Sequence, residues 1–138
     1  MKNSFGTPLV VEVMPSGKKF KLHYDFTYNW KGLDDSAVKI TVKKGFVTDF
    51  ASIPQPFHSF LSKLGLYTKA SIPHDAIYQK HYIATDTSGQ HYYIFDRYQA
   101  DVVFRDAMRD WGVKEWKVKL MYAGVRMFGW LAWHKKRG

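Results

Sequence analysis

The sequence predicts an α+β fold in which an N-terminal antiparallel sheet, built from hairpins, packs against three to four helices. Three observations predict it. Up to about residue 50 the apolar residues recur every second position, the period of a half-buried strand. Beyond residue 54 they recur at helical spacing, punctuated by cap and stop residues. No composition shift, repeat or low-complexity linker interrupts the 138 residues, which is room for one domain over 1–138.

The first strand spans residues 9–14, a β-branched and apolar run. Pro15-Ser16-Gly17-Lys18 follows as a turn. Phe20, Leu22, Tyr24, Phe26 and Tyr28 alternate with polar residues, so the turn closes a hairpin onto a strand over 20–28. Val38, Ile40 and Val42 alternate with Lys39, Thr41 and Lys43 and predict a third strand. A short helix is expected over 54–64, ended by Gly65. A longer helix follows, to about residue 81. Proline is tolerated only in a first turn, so Ser71 is expected as its N-cap, with Pro73 just inside. Asp86-Thr87-Ser88-Gly89 marks a turn and predicts a hairpin near 82–95.

Asp96-Arg97-Tyr98-Gln99 has the form of a capping box. The helix it opens carries Ala100, Val103, Phe104, Ala107, Met108 and Trp111 on one stripe, and Gly112 is its natural stop. The last helix runs from about 114 to 133. Its apolar part is too short and too interrupted to cross a bilayer, which needs about 20 apolar residues.

With no cysteine, disulfide scaffolds, thiolate zinc sites and thiol catalysis are excluded. No apolar run follows Met1-Lys2, so no signal peptide is expected, and the expected location is the host cytoplasm or a virion. Lys and Arg number 21 against 12 Asp and Glu, for a net charge of +9. Residues 116–138 hold Lys117, Lys119, Arg126, Lys135, Lys136 and Arg137 and no acidic residue, so two thirds of the net charge sits there. Such a face favours anionic partners: phospholipid, an acidic host or virion protein, or nucleic acid. Trp116, Trp130 and Trp133 among these cations suit a helix at an anionic membrane interface. A core helix with a solvated basic face fits the same residues. Nucleic acid rests on charge alone, without helix-turn-helix spacing, zinc ligands or an RNA-binding sheet signature.

Three segments hold polar residues that periodicity does not require: 45–54, 73–78 and 100–104. His74 and Asp75 are adjacent in a helix, about 100° apart, and do not pair. His74 and Tyr78 are four apart and share a face. Asp101 lies at the edge of a buried stripe and needs a partner, which His74 supplies if the two helices pack together. The carboxylate then fixes the imidazole tautomer and makes His74 a competent general base. Asp75 and Asp49, with the Phe50 carbonyl, converge in this reading on a hard cation such as Ca²⁺. A His-Asp pair joined by His58 and Asp101 as a phosphohydrolase centre is a variant, against which the strands before Asp49 count.

Gly45-Phe46, Thr48-Asp49, Ala51-Ser52-Ile53-Pro54, Tyr67-Thr68-Lys69-Ala70, His74-Asp75 with Tyr78, and Ala100-Asp101 with Phe104 resemble a family of uncharacterised phage and prophage proteins grouped as domain of unknown function 1353. That resemblance implies a phage or prophage origin and no activity. His74-Asp75-Ala76-Ile77-Tyr78 also resembles the active-site helix of phospholipases A2. This second resemblance implies a calcium-dependent esterase in which His74 is the base, Asp101 its partner, and Asp75 a Ca²⁺ ligand. The alternative is a non-catalytic phage accessory protein that binds a partner through its basic C-terminal face.

Overall fold

The computed structural model of the protein describes residues 4–5, 9–17, 19–32, 37–50, 53, 66–86 and 94–135. In chain order the strands are β1 (Ser4–Phe5), β2 (Val11–Val13), β3 (Phe20–Leu22), β4 (Phe26–Trp30), β5 (Val38–Val42) and β6 (Val47–Thr48). Helix α1 (Leu66–Tyr78), strand β7 (Ile83–Asp86) and helices α2 (Arg97–Asp110), α3 (Glu115–Phe128) and α4 (Trp130–Lys135) follow. The architecture is α+β, as the sequence predicts.

All the strand pairs are antiparallel, and they form two sheets ordered β1-β4-β5-β7 and β2-β3-β6. The β2–β3 hairpin forms where expected. Its turn is closed by Gly17 N–H donating to Met14 O at 2.8 Å, with Gly17 at φ +73°, a region glycine enters freely. The expected continuous strand over 20–28 is two strands instead. Alternation runs through the whole segment, but the chain bends at His23 and Tyr24, so that β3 joins one sheet and β4 the other. In the larger sheet Thr27 faces Thr41, and their hydroxyls bond at 3.1 Å. β7 pairs with β5, so Ile83–Asp86 completes the main sheet. Residues 87–93 of the hairpin expected near 82–95, the helix over 54–64 and His58 lie outside the described residues.

Helix α1 begins at Leu66 and not at the expected Ser71 cap, so Pro73 sits at its eighth position. A mid-helix proline removes the N–H that the Lys69 carbonyl would ordinarily accept. Tertiary packing outweighs that cost, since every residue from Ala70 to Tyr78 is buried. The helix ends at Tyr78 in a left-handed cap. His81 N–H donates to Ala76 O, and Lys80 N–H to Ile77 O, with Lys80 at φ +64°. The same cap closes α2 with the expected residue, Gly112, at φ +80°.

The core lies between the β4–β5 face and helices α1, α2 and α3. Phe26, Tyr28, Trp30, Ile40 and Val42 contribute from the sheet, and Ile77, Val103, Phe104 and Met121 from the helices. Two buried aromatics keep polar tips. Tyr28 Oη donates to Asp110 at 2.6 Å, and Trp30 Nε1 to Asp106 at 2.8 Å. Burial, reinforced by Asp110, raises the Tyr28 hydroxyl far above its ordinary range, so it remains a donor. These bonds pin β4 to α2, the helix that carries Asp101.

Candidate functional site

Helix α1 carries three of the expected residues. His74 and Tyr78, four apart, share a face, and their rings lie 4.3 Å centroid to centroid. Asp75 projects elsewhere, toward β6. Helix α2 brings Asp101, and its register is set by the expected capping box. Gln99 N–H donates to Asp96 Oδ1 at 2.7 Å, while Asp96 N–H donates to Gln99 Oε1 at 3.1 Å.

The two helices meet at Asp101. His74 Nε2 lies 2.6 Å from Asp101 Oδ1, and Tyr78 Oη donates to the same oxygen at 2.7 Å. Arg126, from α3, donates to Asp101 Oδ2 at 2.8 Å. Arg97 is more distant, at 3.5 Å from Oδ2, and spends its guanidinium mainly on the carbonyls of Val125 and Arg126, at 3.1 Å each. His74, Tyr78 and Asp101 are fully buried. Phe104 walls the imidazole, with ring centroids 4.9 Å apart.

The surroundings of the carboxyl favour its ionised form. Burial pushes it up, but hydrogen bonding and charge from His74, then Tyr78 and Arg126, outweigh burial and hold it below its ordinary value. Asp101 is therefore a carboxylate at neutral pH. A carboxylate only accepts, so the contact with His74 is an Nε2–H donor bond. Burial, then the Asp101 charge, raises the Tyr78 hydroxyl well above its ordinary range and keeps it a donor.

The sequence misses four parts of this network. Arg97 lies one helical turn before Asp101, a spacing that pairs opposite charges and that could have found it. Phe104 was read as core, not as the wall of an imidazole. Arg126 was expected at a substrate interface, yet it turns inward. Gly129 interrupts the expected continuous last helix between α3 and α4. A Cβ there would lie 2.5 Å from the Val125 carbonyl and 2.6 Å from Tyr78 Oη. Glycine is what lets the α3–α4 junction close on the tyrosine.

Asp75 anchors a second, adjoining group. Its Oδ2 accepts from the Thr48 hydroxyl and from Gln79 Nε2, the latter at 2.6 Å. Thr48 Oγ1 in turn accepts from Phe50 N–H at 2.9 Å, and Phe50 O accepts from Ile53 N–H at 2.9 Å. Phe50 is buried and has φ +59°, a conformation that a bulky residue rarely takes. The structure thus links Asp75 to the 48–50 segment through Thr48, a residue the sequence reading quoted without a role. Asp49 is half-buried. Among the described residues no three His, Cys, Asp or Glu side chains gather as a metal cluster.

The remaining expected interface residues divide. Trp133 is half-buried and packs edge-on against Tyr78 at 5.1 Å, with Lys80 Nζ 3.5 Å from its ring centre. Tyr78, Arg126 and Trp133 therefore pack around Asp101 and its partners. Trp116, Lys119 and Trp130 are exposed, and Lys117 Nζ lies 5.5 Å from the Trp116 ring centre.

Comparison with known proteins places this arrangement among proteins without an assigned activity. The chain is 35% identical over 113 residues to "Uncharacterized protein y4jT" of Sinorhizobium fredii (strain NBRC 101917 / NGR234), an alignment that covers 80% of this chain and 29% of that protein. The chain thus spans less than a third of the length of this curated relative. No solved structure matches it significantly. The model of one family, described as "Protein of unknown function (DUF1353)", matches residues 20–125, which include His74, Asp75, Tyr78 and Asp101, and the chain belongs to that family.

Proposed function

We propose that the protein is a hydrolase of phospholipase A2 type, of phage or prophage origin, in which His74 activates water against a carboxylic ester of a phospholipid. The observation that carries this reading is the 2.6 Å contact of His74 Nε2 with an ionised Asp101, with Tyr78 on the same oxygen. Nε2–H donates to Asp101, which leaves the other ring nitrogen for the reaction. When the fully buried site opens to water, the ring nitrogen that does not face Asp101 takes a proton from a water whose oxygen attacks the ester carbonyl, and the Asp101 charge stabilises the imidazolium that forms. Collapse of the tetrahedral intermediate returns that proton to the leaving alkoxide. The resemblance of His74-Asp75-Ala76-Ile77-Tyr78 to the phospholipase A2 helix is what implies a carboxylic ester as substrate.

In this reading a calcium ion belongs beside Asp75 and the Thr48–Phe50 backbone, where it would hold substrate phosphate and developing oxyanion charge. Calcium takes about six to eight oxygens. Asp75 Oδ2 and the Phe50 carbonyl already accept hydrogen bonds, so the described residues fall short of a complete cage. Every step above is accordingly assigned to the chain's own residues.

Complete burial favours a second reading. His74, Asp75 and Asp101 have no exposed surface, as in a polar network that locks helices together. The protein is then a phage accessory protein, with a host, virion or nucleic-acid partner on its basic face.

Fatty-acid release decides between the two. Wild type, His74→Ala and Asp101→Asn, each checked for folding by circular dichroism, are assayed on phosphatidylglycerol vesicles and on a soluble short-chain ester, with and without Ca²⁺. General-base catalysis predicts a loss of ~10²-fold or more in both folded variants. A folded wild type that releases nothing from either substrate refutes the hydrolase.

A further inference from the structure

Helix α3 is apolar on two opposite sides. Val118, Met121 and Val125 recur at core spacing and are buried. Trp116, Leu120, Ala123 and Met127 recur at i, i+4, i+7 and i+11 and fall on the opposite side, all exposed. This outer stripe is where an amphipathic helix ordinarily carries charge. Trp116 is 60% exposed and Met127 65%. Beyond Gly129 the exposed apolar surface continues in Trp130 and Leu131. A contiguous exposed patch of this kind marks an interaction site.

We infer that the outer face of α3 and α4 docks in the plane of an anionic membrane surface. Charge selects this occupant. Lys117 and Lys119 flank the stripe, and residues 116–138 hold no acidic residue and six basic ones, of which Arg126 is spent on Asp101. A second copy of this chain would bring the same cations against each other in a two-fold interface, where like charges repel. Nucleic acid could stack on Trp116 and Trp130 at the two ends of the face, but Leu120, Ala123 and Met127 between them offer neither hydrogen-bonding nor stacking groups. A headgroup layer satisfies both halves of the pattern: acyl chains take the leucine, methionine and tryptophan, and lipid phosphates take the lysines. Among the described residues no helix is long and apolar enough to cross a membrane, so the helix lies on the bilayer. The inference stands on exposed residues and is independent of hydrolysis at His74.

The test is flotation of the full chain with vesicles of phosphatidylcholine alone or mixed with phosphatidylglycerol. Two variants accompany wild type: Leu120→Ser/Met127→Ser and Lys117→Gln/Lys119→Gln. Wild type is expected to partition at least ~10-fold more strongly onto the anionic vesicles. Each lysine near such a surface is worth about a factor of five, so the glutamine pair should lose ~30-fold. The serine pair should lose at least ~10-fold, with circular dichroism and urea midpoint equal to wild type. Failure of wild type to float, or equal flotation of the serine pair, overturns the inference. So does a wild-type dimer in sedimentation that the serine pair dissolves, because a second copy would then be what covers the face.

Discussion

Replacing Asp101 by Asn changes one atom and removes one charge. The carboxylate accepts from His74 and Tyr78 on one oxygen and from Arg126 and the more distant Arg97 on the other. An amide has one acceptor oxygen, so its NH₂ must face a pair of donors. His74 and Tyr78 are fully buried and have nowhere to turn, whereas the Arg126 side chain is 31% exposed. The NH₂ therefore goes to the arginine side, and Arg126 swings toward water. Breaking a buried pair ordinarily costs about 3–5 kcal/mol, and partial resolvation of Arg126 puts Asp101→Asn at the lower end, ~3 kcal/mol. With an unfolding entropy of about 2.1 cal/mol/K per residue, the melting temperature falls by ~10 °C. In urea, with m of about 1.5–2 kcal/mol/M, the midpoint falls by ~1.5–2 M. The dependence on pH is a separate check. The folded-state carboxyl is held below its ordinary value, so its contribution is complete above the unfolded pKa of about 3.9 and disappears as pH falls through the folded value. Wild type and Asp101→Asn should therefore converge in stability on acidification below about pH 4. A loss under ~1 kcal/mol at pH 7 would mean that the charge is worth no more than an ordinary neutral hydrogen bond. A gap that widens in acid would reverse the sign of the linkage.

Gly129→Ala sets helix propensity, which favours alanine by about 1 kcal/mol, against a Cβ pressed on Tyr78 Oη and the Val125 carbonyl. The clash should win by ~1–2 kcal/mol in chemical denaturation, and the loss should shrink in a Tyr78→Phe background; a stabilised Gly129→Ala protein refutes the close approach. Thr48→Val keeps the shape but deletes the donor to Asp75 and the acceptor of Phe50 N–H. It should cost ~2–3 kcal/mol, and a urea midpoint equal to wild type would remove Thr48 from the site. Lys80→Gly relieves a left-handed backbone worth ~1 kcal/mol but loses the Trp133 contact, worth about as much. The variant should be near neutral alone and stabilising by ~1 kcal/mol in a Trp133→Leu background, with thermal melts of the four proteins as the check.

Much of the fold was legible where one local rule acts alone. The Asp96–Gln99 box and the Gly112 stop depend on a few adjacent residues, and both form as expected. The meeting of His74 with Asp101 was legible because each residue sat on a helix face where burial demands a partner. Errors arose where tertiary contacts override a local rule. The bend at His23 and Tyr24 leaves no mark on an alternation that continues through it. Proline rules put Pro73 in a first turn, but packing on the sheet and α2 holds a helix that starts seven residues earlier. Arg126 lies 25 positions from Asp101 and has the same local signal as any surface arginine. Thr48 and Asp75 are separated by 27 positions, and only the fold brings them together.

Asp101 takes its partners from α1, α2 and α3. If α1 or α3 detaches, the carboxylate loses part of its compensation, and if α2 detaches it leaves the buried donors of His74 and Tyr78 unpaired. Partly docked forms are therefore disfavoured by more than the apolar contacts they lose. Unfolding should gather the three helices into one cooperative unit. In native-state hydrogen exchange, the slowest amides of all three should open with a common free energy, and Asp101→Asn should let α3 exchange ahead of the others.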